Sequence, residues 1–189
     1  MADLKQRKCK ACHHPFTPAR STQTACGIDC AMQLAHEKKV KVAECDRLDT
    51  VRKDRARKER LKTRRDWEKE AQAAFNAWVR LRDADKPCIS CGRHHEGQYH
   101  AGHYLSVGAR PELRYEPINV WKQCAPCNTH LSGNAVLFRQ ALVREIGLDR
   151  VEWLEGPHQA KKYTADELRA IRDLYRAKLR ELVKERANG

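Results

Sequence analysis

The chain has no long apolar run. Nothing in its 189 residues approaches the ~18 consecutive apolar residues of a membrane-spanning helix. Its amino terminus, MADLKQRKCKAC, also lacks the apolar core of a secretory signal. A membrane partner is therefore not expected, and the protein should stay in the cytoplasm of the cell that makes it. Acidic residues are in short supply: 25 Asp and Glu stand against 38 Lys and Arg, a formal charge of +13 and a pI near 9.5. That excess points to a polyanionic partner, usually nucleic acid. A ribosomal-type or merely soluble basic protein is the bland alternative. Glycine and proline are absent between Ala31 and Lys86, which excludes the turns they mark and predicts helix throughout.

Cysteine, by contrast, is plentiful. Eight of the nine fall into close pairs, Cys9/Cys12, Cys26/Cys30, Cys88/Cys91 and Cys124/Cys127. Cys45 stands alone and reads as an ordinary helix residue. In a reducing compartment such pairs are zinc ligands more often than disulfides. Cys9, Cys12, Cys26 and Cys30 supply one tetrahedral thiolate set. It leaves no open position for water, so its zinc is expected to be structural. A redox dithiol would leave the second pair without a purpose. His13 and His14 could substitute for a thiolate, but four Cys already suffice. Cys88, Cys91, Cys124 and Cys127 form the second structural zinc set, clamping the ends of a 32-residue insert.

Three regions follow, in an α+β fold that is mostly helical. Residues 1–30 make an N-terminal four-cysteine zinc module, too small to fold without metal. Residues 31–86 form a long helix whose middle carries Arg52, Lys53, Arg55, Arg57, Lys58, Arg60, Lys62, Arg64 and Arg65 against only Asp54 and Glu59. These nine cations are candidate DNA-binding residues, the alternative being a merely solvated face. No clean heptad supports a coiled-coil seam there. Towards the end of this helix Trp67, Ala71, Ala74, Phe75, Trp78 and Leu81 follow a 3.6-residue period, with Arg82 at the polar edge. That stripe is expected to dock on the third region, residues 87–189. Its first part, to residue 135, is rich in turns and suits short strands and knuckles. Helical periodicity then returns through Leu137, Phe138, Ala141, Leu142 and Ile146 and stops at Gly147. A Thr164/Glu167 capping box opens a last helix with Leu168, Ile171, Tyr175, Leu179 and Leu182 on one face.

Between Cys91 and His130 lie His94, His95, His100, His103, Asn119, Asn128 and His130. Phosphodiester hydrolysis needs a base for water, a divalent ion at the phosphate, and groups that orient both. Neutral imidazole suits the base; imidazole and amide oxygen suit the ion. The run His100-Ala-Gly-His103-Tyr, then Asn119-Val, then Cys124-x2-Cys127-Asn128-Thr-His130 resembles the HNH endonuclease motif of a zinc-bearing ββα-metal (treble-clef) unit. The Cys-rich amino terminus, the long charged helix, DADKPCISCG, AGHY and CNTHLSGN together resemble the phage NinG/Rap recombination proteins over nearly the whole chain.

That resemblance implies a metal-dependent endonuclease acting on branched DNA, a Holliday junction or D-loop. His103 would be the general base, Asn119 would orient it or help hold the metal, and Asn128 would occupy the third motif position near the metal. His130 is an alternative ligand or phosphate contact. The catalytic ion would be Mg²⁺ or Mn²⁺, and other phage recombination proteins are implied as partners. One departure matters: many HNH sequences place a metal ligand directly before the base, where Gly102 stands. His100, where the resembled family tends to carry Asp, is the nearest substitute. Strand residues three apart face opposite sides, so His100 joins His103 only if Gly102 permits a bulge or kink. His94 and His95 read as surface or hydrogen-bonded residues, and Trp121 and Tyr104 as core. The twofold symmetry of a four-way junction favours a homodimer. A non-catalytic zinc-dependent DNA-binding module and an HNH nickase on duplex DNA are the competing readings.

Overall fold

Ligand spacing dictates the first folded element. In the computed structural model, which describes residues 5–188, β1 (Arg7–Lys8) and β2 (Pro15–Phe16) pair antiparallel, Arg7 opposite Phe16. The turn between them carries Cys9 and Cys12. Cys26 precedes α1 (Ile28–Arg60), and Cys30 sits in its first turn. This helix buries no residue. A solvated helix of such length depends on local charge pairs, as at Arg47–Glu44 and Arg52–Asp49. Arg57, Lys58 and Arg60 crowd its last turn, where the helix dipole favours cations.

The chain separates into two units, Met1–Leu61 and Lys62–Gly189. The single helix expected over 31–86 is thus two helices. No glycine or proline marks the break. A capping box does: the Asp66 N–H donates to Thr63 Oγ1 at 3.3 Å and the Thr63 N–H to Asp66 Oδ2 at 3.0 Å. These bonds start α2 (Arg64–Arg82) afresh.

Within the second unit α2 buries Trp67, Ala71, Ala74, Phe75 and Val79. Val79 takes the buried place expected of Leu81, which stays half-buried. This face meets Leu168 and Tyr175 of α5 (Ala165–Asn188). The Phe75 ring lies edge-on to Tyr175 with centroids 4.7 Å apart. Arg82 is a bolt rather than a polar edge: it donates to the carbonyls of Pro117 (2.9 Å) and Val120 (2.8 Å) and stacks over Trp78 and Trp121.

The hairpin β3 (Tyr99–His103) and β4 (Val120–Cys124) runs antiparallel from Tyr99 opposite Cys124 to His103 opposite Val120. Successive β4 residues serve two cores. Val120 belongs to the α2–α5 cluster, whereas Trp121 packs with Leu113, Phe138, Leu142, Val151 and Leu154. The last four lie on α3 (Ala135–Ile146), closed by Gly147 at φ 86°, and on α4 (Leu148–Glu155). The short α4 was not expected from the sequence. The Thr164/Glu167 capping box forms as expected, with the Thr164 N–H to Glu167 Oε2 at 2.8 Å. Among the described residues no helix is long and apolar enough to cross a membrane.

Candidate metal centres and active site

Each four-cysteine set gathers its sulfurs within 4.8 Å of one another. Sulfur separations are 3.6 Å for Cys12–Cys26 and Cys26–Cys30, and 4.0 Å for Cys91–Cys124. A zinc ion with Zn–S bonds of ~2.3 Å sits in a tetrahedron whose edges are ~3.8 Å, whereas a disulfide would need ~2.05 Å. Both sets therefore fit zinc, and four thiolates leave no open coordination position.

The two knuckles are built on one plan. The Cys9 N–H donates to His14 O and the His13 N–H to Cys9 O (2.9 and 3.0 Å). With the same offsets, the Cys88 N–H donates to Arg93 O and the Gly92 N–H to Cys88 O (3.0 and 2.8 Å). The fifth residue of each knuckle is left-handed, His13 at φ 61° and Gly92 at φ 66°. The third cysteine's N–H donates to the first cysteine's sulfur, Cys26 to Cys9 and Cys124 to Cys88, both at 3.4 Å. Such bonds favour thiolate. The Cys9 thiol is brought down to about 6, chiefly by the Cys12 N–H. Cys30 is pushed up to about 12 by its hydrogen bond with Cys26, and Cys124 to about 12 by burial. Four crowded thiols cannot all ionise unless a cation sits among them. His13, His14 and His94 are exposed and outside both sets. His95 is half-buried and hydrogen-bonded, with Nε2 3.3 Å from Cys91 Sγ.

His103 ends β3 on the face shared with Ala101 and Val120. Its Nε2 lies 3.0 Å from the Arg114 carbonyl oxygen. A carbonyl only accepts, so Nε2 carries the proton and Nδ1 keeps its lone pair. Burial lowers the imidazole's pKa below its ordinary value; the bond to Arg114 O opposes this, and the Arg114 charge adds to it. A neutral imidazole with one oriented, unprotonated nitrogen is what a general base near pH 7 requires.

Asn119, 0 % exposed, has its whole carboxamide engaged. Nδ2 donates to the carbonyls of Leu105 and Leu113 (both 3.1 Å), and Oδ1 accepts from the Leu105 N–H at 2.9 Å. Its own carbonyl accepts from the Tyr104 N–H at 2.8 Å. Asn119 thus fastens the chain directly after His103.

The ladder runs unbroken through Gly102, with no bulge. His100, opposite Gln123, and His103, opposite Val120, therefore project from opposite faces, and the kink that would unite them is absent. Gly102 is required for space: a Cβ there would lie 2.1 Å from Gln123 Oε1. Gln123 is fully buried, donating from Nε2 to Ser90 Oγ and Gly133 O, both at 2.6 Å. Asn128 and His130 lie on the π-helical turn Pro126–His130, half-buried and exposed respectively. Among the described residues, no Cys, His, Asp or Glu group other than the two four-cysteine sets closes on one ion. His100 projects from the face of the hairpin opposite His103, and neither it nor His130 joins His103 in such a group. Trp121 is core, as expected, and the Tyr104 hydroxyl, bonded to Glu155, is pushed up to about 12 by burial.

The basic run divides between the units. Arg52, Lys53, Arg55, Arg57, Lys58 and Arg60 are exposed on α1. In the second unit Lys62 pairs with Glu70 at 2.7 Å beneath Trp67, Arg64 pairs with Glu68 at 2.8 Å, and Arg65 is exposed.

Comparison with known proteins gives one consistent result. The family model described as Bacteriophage Lambda NinG protein matches residues 1–185. Protein ninG of Escherichia phage 933W is 41% identical, with all of both chains covered. Protein ninG of Salmonella phage P22 is 39% identical over all of both chains. That of Escherichia phage lambda is 39% identical over all of this chain and 99% of its own. No solved structure matches.

Proposed function

Because the chain belongs to the lambda NinG family of phage proteins, we propose that it is a structure-selective DNA endonuclease of phage recombination. Its substrate would be branched DNA, a Holliday junction or D-loop, in the cytoplasm of the bacterial host. The observation that carries this reading is the imidazole of His103, oriented by the Arg114 carbonyl at the end of a hairpin whose other end carries a four-cysteine set that fits zinc. A pure binding module has no use for such a group. Nδ1 would take the proton of a water attacking the phosphodiester while Nε2–H stays on Arg114 O. Asn119 would keep the following loop in place.

The two zinc sites would be structural. A catalytic Mg²⁺ or Mn²⁺ would neutralise charge on the phosphate. Such ions keep several waters and use few protein ligands beside substrate phosphates, so an incomplete donor set is compatible with recruitment alongside DNA. Asn128 and His130 would be its open donors; His100 faces away from the base. The exposed cations of α1, with Lys62, Arg64 and Arg65, would follow the DNA backbone. Two copies on a twofold-symmetric junction, together with other phage recombination proteins, complete the proposed assembly.

The test is a cleavage panel of linear duplex, flap, D-loop and four-way junction with Mg²⁺ or Mn²⁺. Cutting confined to branched substrates, abolished in His103→Ala with binding retained, is expected. Equal cutting of linear duplex would instead favour an HNH nickase. Binding without cutting by the wild type would favour a zinc-dependent DNA-binding factor.

A further inference from the structure

The base is held by a carbonyl that lies midway along the connection between β3 and β4. Long surface connections are the mobile parts of a fold, and a carbonyl displaced by an ångström no longer fixes a ring. Residue 114 is flanked by Leu113 and Tyr115, each buried in one of the two cores, and its side chain adds a further hold on the carbonyl. The turn Pro111–Leu113 leads into it, with the Arg114 N–H on Pro111 O at 3.3 Å. That bond leaves the Arg114 side chain free to reach elsewhere, and it reaches α2. Arg114 Nε donates to Gln72 Oε1 at 2.8 Å, and its Nη1 pairs with Glu68 Oε1. Both acceptors are themselves held: Glu68 Oε2 by Arg64 at 2.8 Å, and Gln72 by its own donation to Asn76 Oδ1 at 2.7 Å. Glu68 and Gln72 stand one turn apart on a helix whose other face is buried in the core. The guanidinium fork is thus gripped at two points by a helix packed in the core.

We propose that Arg114, gripped by Glu68 and Gln72 of α2, is the positioning residue for His103, fixing the Nε2–H tautomer and leaving Nδ1 for the reacting water. This rests on His103 as base and extends that reading to α2, a helix outside the resembled HNH motif. The side chain of Arg114 touches no reacting atom in this scheme. It acts through its own backbone carbonyl, so conservative changes that keep both acceptors should be tolerated whereas loss of the fork should not.

The full-length, zinc-loaded protein with ¹⁵N-labelled imidazoles tests this without reference to activity. In the wild type His103 is expected to show one tautomer, protonated at Nε2. In Arg114→Ala the two nitrogens should average towards a tautomer mixture. Junction cutting should then fall on the order of 10²-fold, the scale of a misplaced catalytic group, while junction binding is unchanged. The exchange Glu68→Gln with Gln72→Glu keeps both acceptors and the net charge, and should preserve the single tautomer and the cutting. If Arg114→Ala does not retain its zinc and fold, Gln72→Ala removes one anchor and should shift the tautomer in the same direction. An unchanged His103 tautomer in a folded Arg114→Ala protein overturns the proposal. Should the wild type cut no branched DNA, the nuclease reading fails, yet the tautomer signals still decide whether Arg114 positions the ring.

Discussion

Replacing Gly102 by alanine places one methyl group where the structure has no room for it. The added Cβ would stand 2.1 Å from Gln123 Oε1 and 3.0 Å from Gln123 Cβ and Cδ. An ordinary contact is about 3.5 Å, so the overlap with the amide oxygen is about 1.4 Å, far more than neighbouring atoms absorb by small shifts. The carboxamide must therefore leave. It then loses its bonds to Ser90 Oγ and Gly133 O, each worth about 1 kcal/mol net, and strands buried polar groups at a further ~1–3 kcal/mol. Alanine in an extended strand recovers only ~0.5–1 kcal/mol of backbone entropy relative to glycine. The balance is a loss of about 2–4 kcal/mol.

All four tryptophans, Trp67, Trp78, Trp121 and Trp153, belong to the second unit, so their fluorescence in a urea titration of zinc-loaded protein reports that unit alone. With a slope of ~2 kcal/mol per molar, the midpoint should fall by about 1–2 M. The partner substitution makes the reasoning specific. Gln123→Ala removes the amide oxygen and Cδ but keeps the Cβ at 3.0 Å, so Gly102→Ala should cost much less in that background, a coupling of about 2 kcal/mol between the two sites. An unshifted midpoint for Gly102→Ala, or costs that simply add in the double variant, would refute the spatial explanation of this glycine.

Three further outcomes are expected. The base reading makes cutting depend on neutral His103, whose pKa burial lowers. The acid limb of the cleavage profile should therefore fall below the ordinary imidazole value of ~6.5, and an acid limb above it would contradict the burial. The same shift has a stability sign: the unfolded histidine binds its proton first as pH falls. His103 thus contributes fully above ~6.5 and loses its contribution as pH drops through the folded value. Metal analysis should find one zinc per four-cysteine set. Cys12→Ser should remove one while leaving tryptophan fluorescence unchanged, whereas Cys127→Ser should perturb it. Changing the exposed Arg52, Lys53, Arg55, Arg57, Lys58 and Arg60 to glutamine should flatten the salt dependence of DNA binding by ~0.9 in log–log slope for each phosphate no longer neutralised. An unaltered slope would leave α1 a merely solvated helix.

Features set by local spacing were legible in the sequence. Knuckles declare themselves because ligand geometry fixes the interval between cysteines, and the Thr164/Glu167 box because capping is a four-residue event. The Thr63/Asp66 box was equally local, but the lack of glycine and proline from Ala31 to Lys86 argued for one uninterrupted helix. In the structure the cap prevails, because α1 has no core to hold it whereas α2 is drawn into one by Trp67 and Phe75. Composition records which residues tolerate helix, not where tertiary burial begins.

The site illustrates the same division at atomic scale. Candidate residues were found by type and interval, but the roles of several depend on partners distant in sequence. Gln123 carried no signal because its part is to occupy the space above Gly102 from the opposite strand. Asn119 looked equally suited to a metal or to the base until its carboxamide was found fully engaged by the Leu105 and Leu113 backbone. His100 and His103 formed a pair on paper, yet a three-residue interval on an unbroken strand separates them as surely as distance would. On the proposed reading the chemistry would rest on His103 with what surrounds its own face of the hairpin. That face is supplied by α2 and the loop bearing Arg114, elements no motif of spacing would have joined. It follows that substitutions at Glu68 or Gln72, outside the cysteine-bounded segment, should perturb His103 more than substitution of His100, only three residues away.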